Sequence, residues 1–518
     1  MKKTISKFFW DSTVYKMVCV STFILIPSIV FCFFPQVISV ILLVWGAMFL
    51  VRDLFKSRNF TKQTGSILLL LFCIGYIFSL VFYAKNDLVS TVHVYCWTII
   101  EFFLLFAIED EKATSVDNLL YEMYKINILV SIVAFFAGVI SLIIFFCKIS
   151  IAMPDPEGVN TFWAFGISSG RNSGIFNNPI PCANAMFLGC VASLFNMFFP
   201  KKRKRILMIC YSVVFIVCYL CVLTTLTRTY VYGIYIFLFI TVVSAFYQKM
   251  LSDKIWLKRL LTPLCLAIII TCAAVGLSET TRNVMAKLIS NVNTKSIILV
   301  AAGDEDKNLE DNCAEDVVGI DTEILKDEIA AQLEIGTQVT MNRDELNRLP
   351  SFLYPRDEMW KVALEVIPHS PILGFTSGNR QASSVEYSTS EYMKNRTGIS
   401  TYHNAYLDIA VSAGLLGLSL MLIFLGVQIF RTVKGLFTAQ VKVSQDKTRS
   451  CYSVLMGYLA THVFVTSMFF GVLCFSNVSV CLYFWIVLGI VSRIVDCDTN
   501  RQGVLSVKSI ISRALVKR

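Results

Sequence analysis

Apolar runs of about twenty residues, broken by short polar joints, recur along most of the chain. A hydrocarbon core of about 30 Å takes roughly 20 apolar residues per helix. Twelve stretches reach or approach that length, near 17–34, 36–51, 65–83, 88–108, 126–147, 179–199, 206–224, 229–247, 259–277, 405–429, 452–473 and 476–492. The pattern predicts an all-α polytopic membrane protein of about twelve transmembrane helices. Little more than Pro35 parts the first two runs, which therefore read as a tight hairpin. Residues 148–178 are too polar to cross, although GVNTFWAFGISSG can dip partway in where protein covers its backbone.

The long interruption before the tenth run sets the organisation. Residues 1–277 hold helices 1–9, 278–402 form a large loop, 403–494 hold helices 10–12, and 495–518 are a basic tail. Within the loop, about 290–349 is acidic and low in aromatics and reads as an insertion of short solvated helices. About 355–367 differs: Met359, Trp360, Val362, Ala363, Leu364 and Ile367 recur at helical spacing. Asp357 and Glu358 fall in its first turn and Pro368 stops it, so it predicts a surface helix.

Composition agrees with the pattern: 56% of residues are hydrophobic and 16% charged, against about 25% charged in soluble domains. No small-residue cleavage site follows MKKTISKFFW, so the first run reads as retained. Charge then orients the bundle. With a cytoplasmic N-terminus, the inside segments carry 30 of the 46 Lys plus Arg, KKRKR at 201–205 being the densest. The short outside loops carry only Lys85, Lys148, Arg171 and Arg228. Both termini are thus expected inside, and the net charge of +10 is topological rather than a sign of nucleic-acid binding. The 17 cysteines lie mostly in or beside the runs, with no disulfide or metal spacing, and read as small apolar packers.

Orientation gives the chemistry a side. Arg171 in SSGRNSGIFNNPIPCANA, Arg228 in TTLTRTYVYG, Arg356 opening the surface helix and His403 opening helix 10 all fall outside. An Arg on a short outer loop opposes the positive-inside trend unless an anion compensates. Guanidinium forks suit a diphosphate, and a histidine accepts a hydroxyl proton near neutral pH. Asp408, just over one turn beyond His403, is placed to orient it, and Asn178 and Asn404 flank helix starts. The plainer readings are a headgroup or carbonyl anchor for each Arg and an interfacial residue for His403. His93, Glu101 and His462 lie inside runs; the histidines read as buried hydrogen-bond partners and Glu101 as a cavity residue. His369, between two prolines, reads as a loop residue. No Walker loop, H-E-x-x-H or nucleophile elbow occurs. The outer loops lack a compact Asp-x-Asp before a span; DED at 304–306 lies in the acidic stretch. No metal and no cofactor is expected.

Four blocks carry a family resemblance. RNSGIFNNPIPCANA resembles R-x-x-G-x-F-x-N-P-N, and TLTRTYVYG a short S-R-x-x block. YPRDEMWKVALEVIPHSPILGFTSGN resembles R-x-x-x-W...P-x-x-G-x-G, and YHNAYLDIAVSAGLLGL resembles H-N-x-Y-L-E...G-x-x-G. In this order, over about residues 165–425, they resemble the O-antigen ligase and O-antigen polymerase superfamily of bacterial envelope enzymes. Ile180, Thr227, Ser377 and Asp408 stand where Asn, Ser, Gly and Glu are usual.

The resemblance implies a metal-independent, inverting glycosyltransferase of the bacterial cytoplasmic membrane, with its active site on the extracytoplasmic face. The donor it implies is an undecaprenyl-diphosphate-linked glycan; the acceptor is another glycan, a lipid-A core or a protein. Arg228 and Arg356 would bind the diphosphate, His403 would activate the acceptor hydroxyl, and Arg171, Asn178, Asn404 and Asp408 would line the substrate site. Ligase and polymerase remain alternatives. A transporter or flippase of lipid-linked glycan is a different-class alternative, disfavoured by the lack of a charged track within the runs apart from Glu101.

Overall fold

The computed structural model describes residues 8–56, 59–83, 88–109, 115–154, 162–168, 171–199, 205–250, 255–291, 297–300, 356–390, 401–437 and 446–499. Among them the chain is a helical membrane bundle with eleven helices long and apolar enough to cross a membrane. In chain order the bundle helices begin with α1 (Ser12–Leu25), α2 (Pro35–Lys56), α3 (Ser66–Tyr83), α4 (Leu88–Ile100) and α5 (Val116–Phe146). There follow α6 (Pro179–Phe198), α7 (Arg205–Thr225), α8 (Arg228–Lys249) and α9 (Trp256–Asn291). Beyond the long loop come α10 (Arg356–Val366), α11 (Arg380–Tyr387), α12 (Ala405–Phe437), α13 (Asp446–Thr461) and α14 (Ser479–Thr499). A π turn over Glu101–Leu105 continues α4, and α13 continues through a π turn to Phe470.

Helix α14 is the centre: 94% of its apolar window is buried, against 11% for α9. The side chains of Phe484, Trp485 and Tyr483 on α14 are fully enclosed, whereas Ile268, Ile269 and Leu277 on α9 are exposed. In a bilayer an exposed apolar side chain meets lipid, so this gradient separates an inner bundle from lipid-facing helices.

Three expectations need correction. The first run does not form a long helix. Helix α1 stops at Leu25, and the chain turns at Pro27 and pairs with the segment before α6: Ile29 N–H donates to Ile175 O (2.8 Å) and Asn177 N–H to Pro27 O (3.0 Å). Pro27 cannot donate to a continuing helix, which ends the element early. Second, the stretch between α5 and α6 forms a small sheet. Strands β1 (Ile149–Pro154), β2 (Phe162–Ser168) and β3 (Arg171–Gly174) pair antiparallel, and β4 (Ile297–Val300) adds in parallel to β1, in the order β3-β2-β1-β4. Residues 297–300 fall in the stretch expected as an acidic insertion; the rest of that stretch beyond α9 lies outside the described residues. Third, Glu101 is not the only charge inside the bundle. Lys16 on α1 and Glu122 on α5 are both buried and lie 3.7 Å apart, and Lys16 Nζ donates to Ala107 O at 2.9 Å.

Helix α10 spans Arg356–Val366 and runs into a 3-10 turn at Ile367–His369. Met359, Val362, Ala363 and Val366 form its buried face, packed with Phe375, Tyr402 and Val411 in a separate small core. The two intramembrane histidines are buried or half-buried hydrogen-bond partners, as read: His462 Nε2 is 2.7 Å from Val472 O and His93 Nε2 is 3.1 Å from Ser39 Oγ. Loop residue His369 stacks on Tyr387 at 4.2 Å.

Candidate active site

The α7–α8 hairpin is the seed of the site. Leu226 takes a left-handed conformation (φ 51) at its tip, and Thr227 is the N-cap residue of α8. Strand β3 grips this turn. Arg171 Nε donates to Thr225 O at 2.8 Å and its Nη2 to Thr227 Oγ1 at 3.0 Å, while Asn172 Nδ2 donates to Thr224 Oγ1 at 2.8 Å. Across the turn, Arg356 at the start of α10 donates through Nη2 to Thr229 Oγ1 at 3.4 Å. Arg228 sits between Thr227 and Thr229 as the first residue of α8, half-buried. The three arginines expected from sequence thus meet around the N-terminus of one 22-residue helix. The partial positive charge of that terminus adds to the guanidiniums, making the place favourable for an anion.

His403 stands beside them. Its ring lies 6.4 Å from that of Phe470 at the end of α13, and the Arg356 guanidinium is 5.9 Å from the neighbouring Phe469 ring. Residue 403 is left-handed (φ 52), which costs a non-glycine residue about 1–2 kcal/mol. The surrounding contacts hold it there: His403 N–H donates to Thr401 Oγ1 (3.2 Å), and Asn404 caps α12 by accepting from Tyr406 N–H (3.0 Å) and Leu407 N–H (3.3 Å). The imidazole Nδ1 is buried with no hydrogen-bond partner among the described residues. Burial, and then the Arg356 charge, lower the His403 pKa from its ordinary 6.5, with Asp408 opposing. The ring is therefore neutral at neutral pH and able to accept a proton.

Asp408 does not bond His403. Its Oδ1 accepts from Tyr402 N–H (2.9 Å) and faces Arg380 Nη1 (2.9 Å), and its Oδ2 accepts from Thr401 Oγ1 (2.7 Å). The carboxylate pins the two residues before His403. A Cβ on Gly471, just past α13, would come within 2.6 Å of Asp408 Oδ2, so the end of α13 presses on the same threshold. Asn178 is exposed and caps α6, its Oδ1 accepting from Ile180 N–H at 3.0 Å.

Arg380 was missed from sequence. It opens α11, donates through Nε to Ser377 O (3.0 Å) and pairs with the buried Asp408. Its only sequence signal is its place directly after the SGN of the third block. The glycines of the last two blocks also gain a role. Helix α12 kinks at Gly414 (φ 68), and residues 371–376 cross the kink: Phe375 N–H donates to Val411 O (2.7 Å), Thr376 N–H to Ser412 O (3.0 Å) and Leu415 N–H to Pro371 O (2.7 Å). A Cβ on Gly414 would lie 2.0 Å from Ile372 O, and one on Gly374 2.5 Å from Gly414 N. Thr376 next in the loop is left-handed (φ 72). Ser377 bonds Tyr76, its N–H donating to Tyr76 Oη at 2.8 Å. Glu101 lies apart, fully buried and accepting from Cys481 Sγ at 3.3 Å.

The multi-pass helical membrane protein thus gathers guanidiniums at a helix N-terminus beside a half-buried histidine, an arrangement that favours an anion at one end of the bundle. The family model described as O-antigen ligase matches residues 212–422. The matched range contains Arg228, Arg356, Arg380, His403 and Asp408, while Arg171 lies before it. No curated protein matches the chain.

Proposed function

We propose that the protein transfers a glycan from a polyprenyl diphosphate, of the undecaprenyl type, to an acceptor hydroxyl at the extracytoplasmic face of the bacterial cytoplasmic membrane. The convergence of Arg171, Arg228 and Arg356 on the N-terminus of α8, with His403 next to Arg356, carries this reading. The donor diphosphate is held by Arg228 and Arg356, with Arg171 bracing the hairpin they stand on. A hydroxyl of the acceptor gives its proton to His403 and its oxygen attacks the anomeric carbon. The bond from that carbon to the diphosphate oxygen breaks on the opposite side, so the configuration inverts. The leaving diphosphate takes the electron pair, and fixed guanidiniums offset its charge without a metal ion.

A transfer assay with purified protein and lipid-linked donor tests the reading. His403→Ala is expected to abolish transfer while the protein still folds, and EDTA to leave the wild-type rate unchanged. Full activity of His403→Ala, or inhibition by EDTA, overturns it. Donor supplied alone distinguishes two acceptors: lengthening chains identify a polymerase, and unchanged donor that reacts only when a second acceptor is added identifies a ligase.

A further inference from the structure

A cavity of about 300 Å³ lies behind Phe470 and takes no part in the chemistry above. It opens between the α1–α2 turn, α4 and the first turns of α6 and α14, and Phe23, Pro27, Pro181 and Phe470 give it apolar walls. Phe470 is also the ring beside His403, so the cavity is a single aromatic side chain away from the proposed base.

Its polar groups are all neutral. Ser39 Oγ accepts from Trp97 Nε1 (2.9 Å) and Asn477 Nδ2 (3.4 Å), which occupies both lone pairs. Its proton is then directed at His93 Nε2, 3.1 Å away, so that His93 is the neutral tautomer with the proton on Nδ1. Asn184, on the second turn of α6, is 2% exposed, and its Oδ1 has no hydrogen-bond partner among the described residues. No Lys, Arg, Asp or Glu lines the cavity. An anion would be desolvated there without compensation.

We propose that this cavity is a subsite for a neutral sugar residue, its ring against Phe470 and its hydroxyls on Asn184, Asn477 and His93. The volume is at the low end of the roughly 300–1,000 Å³ of small-molecule sites, which suits one or two rings and not an extended glycan. Assigning that sugar to the transfer reaction rests on the function proposed above, whereas its binding does not. The sugar belongs either to the acceptor or to the donor glycan.

The test uses full-length protein in nanodiscs prepared without glycosidic detergent. Thermal unfolding is followed with octyl glucoside, octyl galactoside and octyl N-acetylglucosaminide below their micellar concentrations, and with octyl tetraoxyethylene ether as the ring-free control of equal tail. At least one glycoside is expected to raise Tm by about 1–2 °C more than the ether at about tenfold above its Kd. The excess shift is retained in His403→Ala and lost in both Asn184→Ala and Asn477→Ala. Equal shifts by ether and glycosides indicate an acyl occupant and overturn the proposal, as does an excess shift unchanged in the two Asn variants. Transfer kinetics then give the source: a KM for acceptor raised about fivefold to tenfold in Asn184→Ala, with donor KM unchanged, identifies an acceptor sugar, and the reverse a donor sugar. If the purified protein transfers no glycan yet the Asn-dependent shift persists, the transfer reading fails and the subsite stands.

Discussion

Removing Asp408 separates two ways in which a carboxylate beside a histidine can act. In the structure it contacts Arg380, Tyr402 N–H and Thr401 Oγ1 and does not bond the imidazole. Asp408→Ala removes a charge-assisted bond to each of two donors, about 1.5–3 kcal/mol apiece. It also leaves the Arg380 guanidinium, only 12% exposed, without its partner. Breaking a buried pair costs about 3–5 kcal/mol, and the strain released at His403 (φ 52) opposes only a part of this. If about 3 kcal/mol of the loss is paid in the placement of the ring, kcat falls about 10²-fold, at 1.36 kcal/mol per decade. Because the two groups act as one brace, Arg380→Ala and the double variant should each fall to a similar rate, far short of the product of the single effects. Asp408→Asn, which keeps the shape and loses the charge, should lose less and move the acid limb of the pH–rate profile to lower pH, since Asp408 raises the His403 pKa. The assay is glycan transfer under single-turnover conditions, with Tm measured alongside. Multiplicative losses in the double variant would refute the brace and return Asp408 to a direct role on the imidazole.

For the wild-type enzyme, the acid limb of kcat/KM is expected below the ordinary histidine value of 6.5, because burial and Arg356 disfavour the imidazolium; Arg356→Gln should move the limb upward. The same depression contributes stability above pH 6.5 that is lost as pH falls through the lower folded value, so Tm should decline on the acid side less steeply in His403→Gln than in the wild type. Gly414→Ala places a Cβ 2.0 Å from Ile372 O at φ 68 and is expected to destabilise by about 2–5 kcal/mol, read as a lower Tm or loss of folded protein. Arg171→Lys cannot reproduce bonds from Nε and Nη2 to Thr225 O and Thr227 Oγ1 together, and should lower transfer about tenfold with little change in expression.

Most of the bundle was legible because a bilayer imposes length and hydrophobicity on each crossing, and both are local properties of sequence. The failures are at places where a local property misleads. Residues 17–34 are mostly apolar, yet Pro27 and pairing with 175–177 end the helix at Leu25. The sheet escaped notice because its fourth strand, Ile297–Val300, joins β1 from far along the chain. At the site, Arg171, Arg228, Arg356 and His403 stood out through motif spacing and the charge bias of loops. Arg380 did not, because it sits in a Gly/Ser-rich polar stretch and its meaning comes from a partner, Asp408, in another helix. Lys16 and Glu122 were overlooked for the same reason: each lies near an end of an apolar run, where a charge looks solvated, and only packing shows that both are enclosed.

Charge is divided sharply across Phe470, and that division limits how a substrate can lie. On one side stand Arg228, Arg356 and the N-terminus of α8; on the other, the cavity wall offers amides, a hydroxyl and a neutral imidazole. A diphosphate moved into the cavity would lose its hydration without gaining a cation, a penalty of several kcal/mol per charge. A neutral sugar placed among the arginines would leave guanidiniums facing groups that cannot neutralise them. The two halves of a glycan-diphosphate or of a donor–acceptor pair are therefore sorted by charge alone, before any sugar-specific contact is made. Under the proposed function the bond that changes would lie where the sorted halves meet, beside His403, whose Nδ1 has no hydrogen-bond partner among the described residues and whose pKa is lowered.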